Sequence, residues 1–584
     1  MESGPVISPC LESPTKKTSA TDQPVAMAIT RYWSAAVVIA LALLVWAPRL
    51  SGPIDLRYDG SVYYLLGTSL TEGYGYRIPS EPGAPEALQY PPLLPAVIAL
   101  HQRVLGTTDP AIVAPWLRRS YAVMFVGFAV AALALARRYL AIGFAVVAVA
   151  LCLLHFETIF LSDLLFAELP FALISVIFAL VVTGNPARRV WLRETFSFGL
   201  AATGFLLRTA GAALLAAWVL EALVRRRWVL AIVRGALAAV PIVGWQIYVE
   251  HVRGSYEYAH PAYEYQRASY QYYNVSYAEN MRLIDPFKPE LGPLTARAMV
   301  TRLATNLPSV LLSLGESISV REMDLAQCFV RSQKKLFHRT VIPGGVMSVP
   351  ILALSALVLA GIIMLARRGS WLMVFIFLVS IGLVLTTPWP AQFTRYLVPL
   401  GPFLSIPAVL ALSQIAGVFR ARKAGAKNTP VRIAIVAAIV LTFALEAYPS
   451  LKMFRFRSRA AGVTVEPPGI PRQRLFAHDR YWQSWEEAVN WLSAQAATDA
   501  IIATSAPHWL YLRSGRRAVL PPMDADPARA RRLLEKVPIS YVIVDELEFL
   551  DISRRYALPA MNGDPTKWHV VKTFGDTKIY EHAR

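Results

Sequence analysis

The sequence predicts an α-helical polytopic membrane protein of about 11 transmembrane helices, followed by a small C-terminal α/β domain. Three observations lead there. Of 584 residues, 55% are hydrophobic and only 17% charged, whereas soluble domains carry about 25% charged residues; the mean hydropathy is +0.42. Between residues 31 and 450, apolar runs recur at lengths near the ~20 residues that a bilayer-crossing helix needs. Beyond Tyr448-Pro449 the composition turns soluble, and short β-rich runs alternate with helical patterns.

Residues 1–30 are rich in Pro, Ser and Thr without apolar periodicity, the pattern of a disordered cytoplasmic tail. The run Trp33 to Trp46, preceded by Arg31, lies too far from the start and lacks the small-residue cleavage site of a signal peptide, so it reads as a first transmembrane helix. Further spans are expected near 118–137, 140–157, 168–183, 196–210, 211–224, 229–249, 342–366, 371–388, 397–418 and 431–449. Several are short, which leaves room for one or two re-entrant segments.

The net charge is +19 and the sequence pI about 9.8. No nucleic-acid-binding motif accompanies that charge. Instead, basic clusters such as Arg137-Arg138, Arg225-Arg226-Arg227 and Arg367-Arg368 fall at alternate ends of the spans. The positive-inside rule then puts the N-terminus in the cytoplasm. It puts outside the loops 49–117 and 250–341, the turns near Asp163, Arg208 and Arg395, and residues 451–584. The three cysteines, Cys10, Cys152 and Cys328, are too far apart for a disulfide framework or a metal-ligand spacing.

Within the 49–117 loop, Pro92 to Leu105 is apolar, too short to span, and closed by Gly106, which suits a helix lying on the membrane surface. The 250–341 loop opens with a tyrosine-dense stretch from Tyr256 to Tyr277. Two readings fit it: an interfacial belt or a wall that stacks on a sugar ring. Residues 451–584 hold a helical pattern around Trp485–Leu492, β-rich runs at Ala500–Thr504 and Tyr541–Asp545 with a helix at Ala528–Lys536 between them, and a terminal hairpin at 570–581. No glycine-rich nucleotide fingerprint is present.

Asp59, in Arg57-Tyr58-Asp59-Gly60-Ser61-Val62-Tyr63-Tyr64, is a carboxylate beside a membrane in a loop too long to be a mere connector. It suits a general base that takes the proton of an acceptor hydroxyl, and equally an N-cap for a helix over 60–70. The hairpin from His155 to Pro170 carries Glu157, Asp163 and Glu168 in otherwise apolar surroundings; ionisable groups at that depth tend to line a wet cavity, and Asp163 at the turn is the favoured one. Arg208 stands alone among apolar residues on the outer side, against the charge bias, so an anion is expected to face it, and a guanidinium binds phosphate in bidentate fashion. Arg395-Tyr396, after Thr387-Pro388-Trp389-Pro390, is a second outer-face cation, fitting either a phosphate or snorkelling toward headgroups. Asn274-Val275-Ser276 matches a glycosylation acceptor, a pattern common by chance.

These features taken in order resemble the GT-C superfamily of membrane glycosyltransferases. They are an acidic residue in a long first external loop, the Gln89-Tyr90-Pro91-Pro92-Leu93 segment that opens a surface helix, an acidic second turn, and Arg395-Tyr396-Leu397-Val398-Pro399-Leu400 late in the chain. The branches most similar are the protein O-mannosyltransferase-like family 39 and the lipid A aminoarabinose transferases. The resemblance covers about residues 30–450. It implies an inverting transferase in a bacterial plasma membrane, moving a sugar from a polyprenyl-phosphate-linked donor to a hydroxyl of a glycan, lipid or protein on the extracytoplasmic face. By position, Asp59 and Asp163 match the family's acidic residues, and Arg208 and Arg395 would neutralise the departing lipid phosphate. Tyr58, Tyr63, Tyr90, Tyr396 and Glu168 complete the expected substrate-binding set. Many relatives carry an Asp-Glu pair where this chain has Asp59-Gly60, and members differ in their need for a divalent metal. The rival readings are a polyprenyl-linked lipid flippase, against which stands the lack of internal repeats, and a non-catalytic membrane scaffold.

Overall fold

The computed structural model describes residues 22–50, 52–184, 190–421, 442–443, 480–547 and 551–583. Among them, five helices are long and apolar enough to cross a membrane: Tyr32–Arg49, Pro110–Ala136, Trp228–Arg253, Gly344–Arg367 and Pro390–Ile415. A sixth crossing is available if Ile142–Leu154 and Phe156–Asp163, bent by 54°, are taken as one span. The bend sits at His155, whose backbone leaves the helical region (φ −59°, ψ 128°) and whose ring bonds the Glu316 carbonyl oxygen at 2.8 Å.

By length and composition the described residues therefore hold five or six such crossings, against the expected total of about 11 for the whole chain. The stretches expected at 168–183, 211–224 and 371–388 form the apolar helices Glu168–Val182, Thr209–Val224 and Trp371–Thr386. Each falls short of the ~20 residues of a perpendicular span. The stretch at 196–210 lies mostly in the helix Val190–Leu207. The span expected at 431–449 lies outside the described residues apart from 442–443, as do residues 1–21 of the expected tail, whose end is helical from Asp22.

Close helix crossings hold the bundle together. A Cβ on Gly361 would lie 2.0 Å from the Pro407 carbonyl oxygen, so the helices Ser348–Arg367 and Gly401–Ala421 meet backbone against backbone, as small residues allow in membrane interiors. In the first loop, the helices Asp59–Thr71 and Leu93–Leu105 pack together. The second ends on left-handed Gly106 and leaves Leu100 and Val104 exposed, as a helix lying at a membrane surface does.

The C-terminal residues form a five-stranded sheet of order β2-β1-β3-β5-β4 among the described residues, with β1 Ile501–Ala503, β2 Ala518–Val519, β3 Ile539–Val544, β4 Trp568–Phe574 and β5 Thr577–His582. β1 pairs in parallel with β2 and β3, while β5 runs antiparallel to β3 and β4. The helix Pro527–Glu535 crosses between strands where 528–536 was expected. This unit sits on the long loops: Ser80 Oγ lies 2.7 Å from His508 Nδ1, Ala518 N donates to the Ser80 carbonyl oxygen at 2.8 Å, and the Tyr556 hydroxyl donates to the Phe287 carbonyl oxygen at 3.0 Å.

Candidate active site

The site begins with a backbone strap. Asp55 N donates to the Asp163 carbonyl oxygen (3.0 Å) and Leu165 N donates to the Asp55 carbonyl oxygen (2.8 Å), pinning the first loop to the turn between the helices Phe156–Asp163 and Glu168–Val182. Four residues past Asp55, Asp59 opens the helix Asp59–Thr71. The N-cap position falls on Tyr58, which offers no side-chain cap, so the capping role considered for Asp59 is not what its carboxylate does. Tyr58 has φ +58° and ψ −130°, an outlier for a bulky residue. Such strain persists where surrounding structure enforces it, commonly at functional sites; here Tyr58 meets Phe166 and Trp482 edge-on at 6.4 and 5.8 Å.

Asp59 faces a chain of charges. Tyr90 Oη donates to its Oδ1 at 2.9 Å, and Arg395 Nη2 donates to its Oδ2 at 2.6 Å. Arg395 Nε also donates to Glu168 Oε1 at 2.9 Å. Arg208 Nη1 lies 2.9 Å from the same Glu168 oxygen, an ion pair without hydrogen-bond alignment, and its guanidinium stands 5.5 Å from the centre of the Tyr396 ring. Burial first, and the Asp59 charge second, raise the Tyr90 hydroxyl well above its usual pKa, so it remains a donor to that carboxylate. Tyr63 is raised for the same two reasons.

These residues share one cavity of about 550 Å³, within the range of ordinary small-ligand sites. Of the expected residues, Asp59, Arg208, Arg395, Tyr396, Tyr58, Tyr63, Tyr90 and Glu168 all line it. Asp163 does not line it. The Asp163 side chain is 0% exposed and turned the other way, accepting from Arg118 Nη2 at 2.7 Å and from Arg49 Nε at 3.3 Å. Glu168, five residues later, lines the cavity instead, the short link from extended Leu164 to helical Ala167 separating the two carboxylates. Asp163 ties together two spans, since Arg49 ends the first and Arg118 lies inside Pro110–Ala136. Replacing it by asparagine removes the carboxylate that two buried guanidinium groups share and is expected to lower stability by about 3–5 kcal/mol, read as a fall in melting temperature in detergent; an unchanged melting temperature contradicts the structural role.

Three further groups of lining residues lie outside the expected catalytic and substrate-binding set. Glu157 and Arg321 face each other across one end at 3.8 Å; Arg321 sits in a loop rich in cations, where charge counting selects none of them. Tyr272, Tyr273 and Tyr277 bring the end of the tyrosine stretch to the wall, whereas Tyr256 at its start is exposed. Trp389 adds an indole face. The six ionisable acids and arginines of the lining, Asp59, Glu157, Glu168, Arg208, Arg321 and Arg395, balance in charge.

Arg208 is presented by a tight turn in which Gly211 N donates to the Arg208 carbonyl oxygen at 2.8 Å. A Cβ on Gly211 would fall 2.3 Å from the backbone of Gly204 and Phe205, which cannot rotate away. Gly211→Ala is therefore expected to cost about 1–3 kcal/mol through overpacking and to shift Arg208. A thermal melt showing wild-type stability contradicts this.

Among the described residues no group of three or more His, Cys, Asp or Glu side chains has the geometry of a metal site. The cavity carboxylates Asp59 and Glu168 already share Arg395, so this donor set does not fit a resident divalent ion.

No family model and no curated protein sequence matches the chain. Solved structures do. The chain is similar to the archaeal oligosaccharyltransferase AglB from Archaeoglobus fulgidus in complex with an inhibitory peptide and a dolichol-phosphate, at 12% identity and a TM-score of 0.51, covering 95% of this chain and 74% of that one. It also aligns with ArnT from Cupriavidus metallidurans in the apo state, at 13% identity and a TM-score of 0.44, covering 96% of this chain and 98% of that one. At these identities the first likeness speaks for fold alone: the chain shares the overall fold of that structure.

Proposed function

We propose that this chain, built on the GT-C fold, is an inverting glycosyltransferase. It moves a sugar from a polyprenyl-phosphate donor to a hydroxyl of a glycan, lipid or protein on the extracytoplasmic face. The observation that carries the reading is the chain of charges Asp59–Arg395–Glu168–Arg208 along one wall of a 550 Å³ cavity. The AglB structure contains a dolichol-phosphate, a ligand of the same chemical class.

The chemistry follows from the groups present. The donor is a phosphodiester with one negative charge. When the bond from the anomeric carbon to the phosphate oxygen breaks, the electron pair stays on oxygen and the leaving phosphate gains a second charge. Arg208 and Arg395 supply cations where that charge grows, which lowers the barrier because the attraction is stronger in the transition state than before it. The acceptor oxygen attacks the same carbon from the opposite face, and its proton passes to Asp59. Tyr272, Tyr273 and Trp389 offer aromatic faces for the sugar ring.

Arg395 also sets an order. It holds one Asp59 oxygen at 2.6 Å while Tyr90 holds the other at 2.9 Å. An arriving phosphate competes for Arg395 and frees Oδ2 to receive the acceptor proton, so donor binds before acceptor. The test is transfer by purified protein from radiolabelled polyprenyl-phosphate sugar. Label on an acceptor with release of polyprenyl phosphate is expected; movement of intact donor across a bilayer without bond cleavage contradicts the reading in favour of a transporter.

A further inference from the structure

The helix Glu322–Phe337 lies beside the catalytic cavity yet contributes only its N-cap residue, Arg321, to it. Its far end is fixed by a clamp. Gln333 is buried, its Nε2 donates to the Ile342 carbonyl oxygen (2.9 Å), and its Oε1 accepts from Val341 N (2.9 Å) and Ile342 N (2.7 Å). The chain thus folds back along the helix just before Gly344, where the membrane-crossing segment Gly344–Arg367 begins. Gly344 packs on Ala326 and Val330 of the same helix. The C-terminal half of the helix is therefore held beside the first residues of that apolar helix.

Its side chains divide accordingly. Leu325 is buried under the fold, and at helical spacing the same face continues through Phe329 to Leu336 and Phe337, which are 74% and 56% exposed. Val341 and Ile342 of the return segment are exposed as well. Arg331, Lys334, Lys335 and Arg339 are all exposed. In contrast to Arg321, which is paired with Glu157 and Asp324, none of these four has a carboxylate partner among the described residues. Four cations on the cavity side run against the bias that gathers cations at the opposite ends of the spans. An exposed apolar stripe beside cations, tethered at the end of a membrane span, has the chemistry of an interfacial amphipathic helix.

We propose that residues 331–342 form a membrane-surface element that binds anionic phospholipid headgroups through Arg331, Lys334, Lys335 and Arg339. Leu336, Phe337, Val341 and Ile342 enter the upper acyl region, and the basic side chains reach back to the headgroups along their aliphatic stems. This holds whether or not the cavity transfers sugar.

The experiment places an environment-sensitive fluorophore on Leu336→Cys in a background with Cys10→Ser and Cys328→Ser, Cys152 being buried. The full chain is reconstituted in nanodiscs of phosphatidylcholine with and without phosphatidylglycerol. The expected result is a blue-shifted emission, quenched by lipids brominated in the acyl chain, and stronger with phosphatidylglycerol. Removing the cations in R331Q/K334Q/K335Q/R339Q abolishes the lipid dependence, at roughly five-fold in anionic-lipid preference per charge. A water-exposed emission in both lipids overturns the proposal. So does a buried emission that brominated lipid fails to quench, which would mean protein cover from residues 422–479 or a second copy. Quenching that is identical in both lipids also overturns it. The two lipid compositions decide the matter on the parent protein alone if the charge variant does not reconstitute.

Discussion

Asparagine at position 59 is expected to lower sugar transfer by roughly 10²–10⁴-fold, the usual loss on removing a general base. The substitution keeps the volume of the side chain and leaves an amide oxygen to accept from Tyr90, which lies 2.9 Å from the native carboxylate. What it removes is the group that takes the acceptor proton. Arg395 keeps Glu168 as its partner at 2.9 Å, so the wall of the cavity persists. The loss should fall on kcat, because the proton moves only in the transition state, with the donor KM unchanged or lowered, because the phosphate no longer competes with a carboxylate for Arg395. Steady-state kinetics with labelled donor separate the two, and wild-type turnover in the variant removes Asp59 from the mechanism.

Alanine at position 395 is expected to cost about 10²–10³-fold in turnover and to weaken donor binding as well. Arg395 bridges Asp59 and Glu168 at 2.6 and 2.9 Å, and in the proposed reaction it meets the phosphate both before and during bond cleavage. The side chain is 26% exposed, so its stability penalty should be smaller than the 3–5 kcal/mol of a fully buried pair. Arg395→Lys discriminates further. An ammonium restores the charge but cannot present separate N–H groups to two carboxylates in a fixed fork, so partial recovery of binding with little recovery of rate is expected. Full activity in Arg395→Ala contradicts any role in phosphate neutralisation.

Much of the site was legible because charge in an apolar chain is conspicuous. Asp59, Arg208 and Arg395 each stand out as isolated ionisable groups at a membrane edge, and the fold brings all three to one cavity. Asp163 misled for the same reason. It too is isolated, but its charge is absorbed by Arg49 and Arg118, two cations in or beside spans whose need for a partner was itself a signal in the sequence. Whether a carboxylate faces a cavity or an arginine depends on which way the Leu164–Ala167 link turns, and no local pattern sets that. The strained backbone of Tyr58 was equally hidden, since the rings that it meets, Phe166 and Trp482, come from distant parts of the chain. In the C-terminal sheet β1, β3, β4 and β5 and the helices Arg480–Gln495 and Pro527–Glu535 were readable from β-rich runs and helical spacing, while the two-residue β2 and the helix Pro507–Ser514 were not. The order β2-β1-β3-β5-β4 was not, because strand pairing is a long-range choice. The count of spans was least legible at apolar helices of 15 and 16 residues, which had to be judged without knowing what packs around them.

The central claim is that Asp59, and not Asp163, serves the chemistry of this cavity. Single-turnover release of polyprenyl phosphate from labelled polyprenyl-phosphate sugar tests it most directly, with wild type, Asp59→Asn and Asp163→Asn compared at equal amounts of folded protein. Release by wild type and by folded Asp163→Asn, with release by Asp59→Asn reduced at least about 100-fold, is the expected result. Equal release by Asp59→Asn and wild type contradicts it.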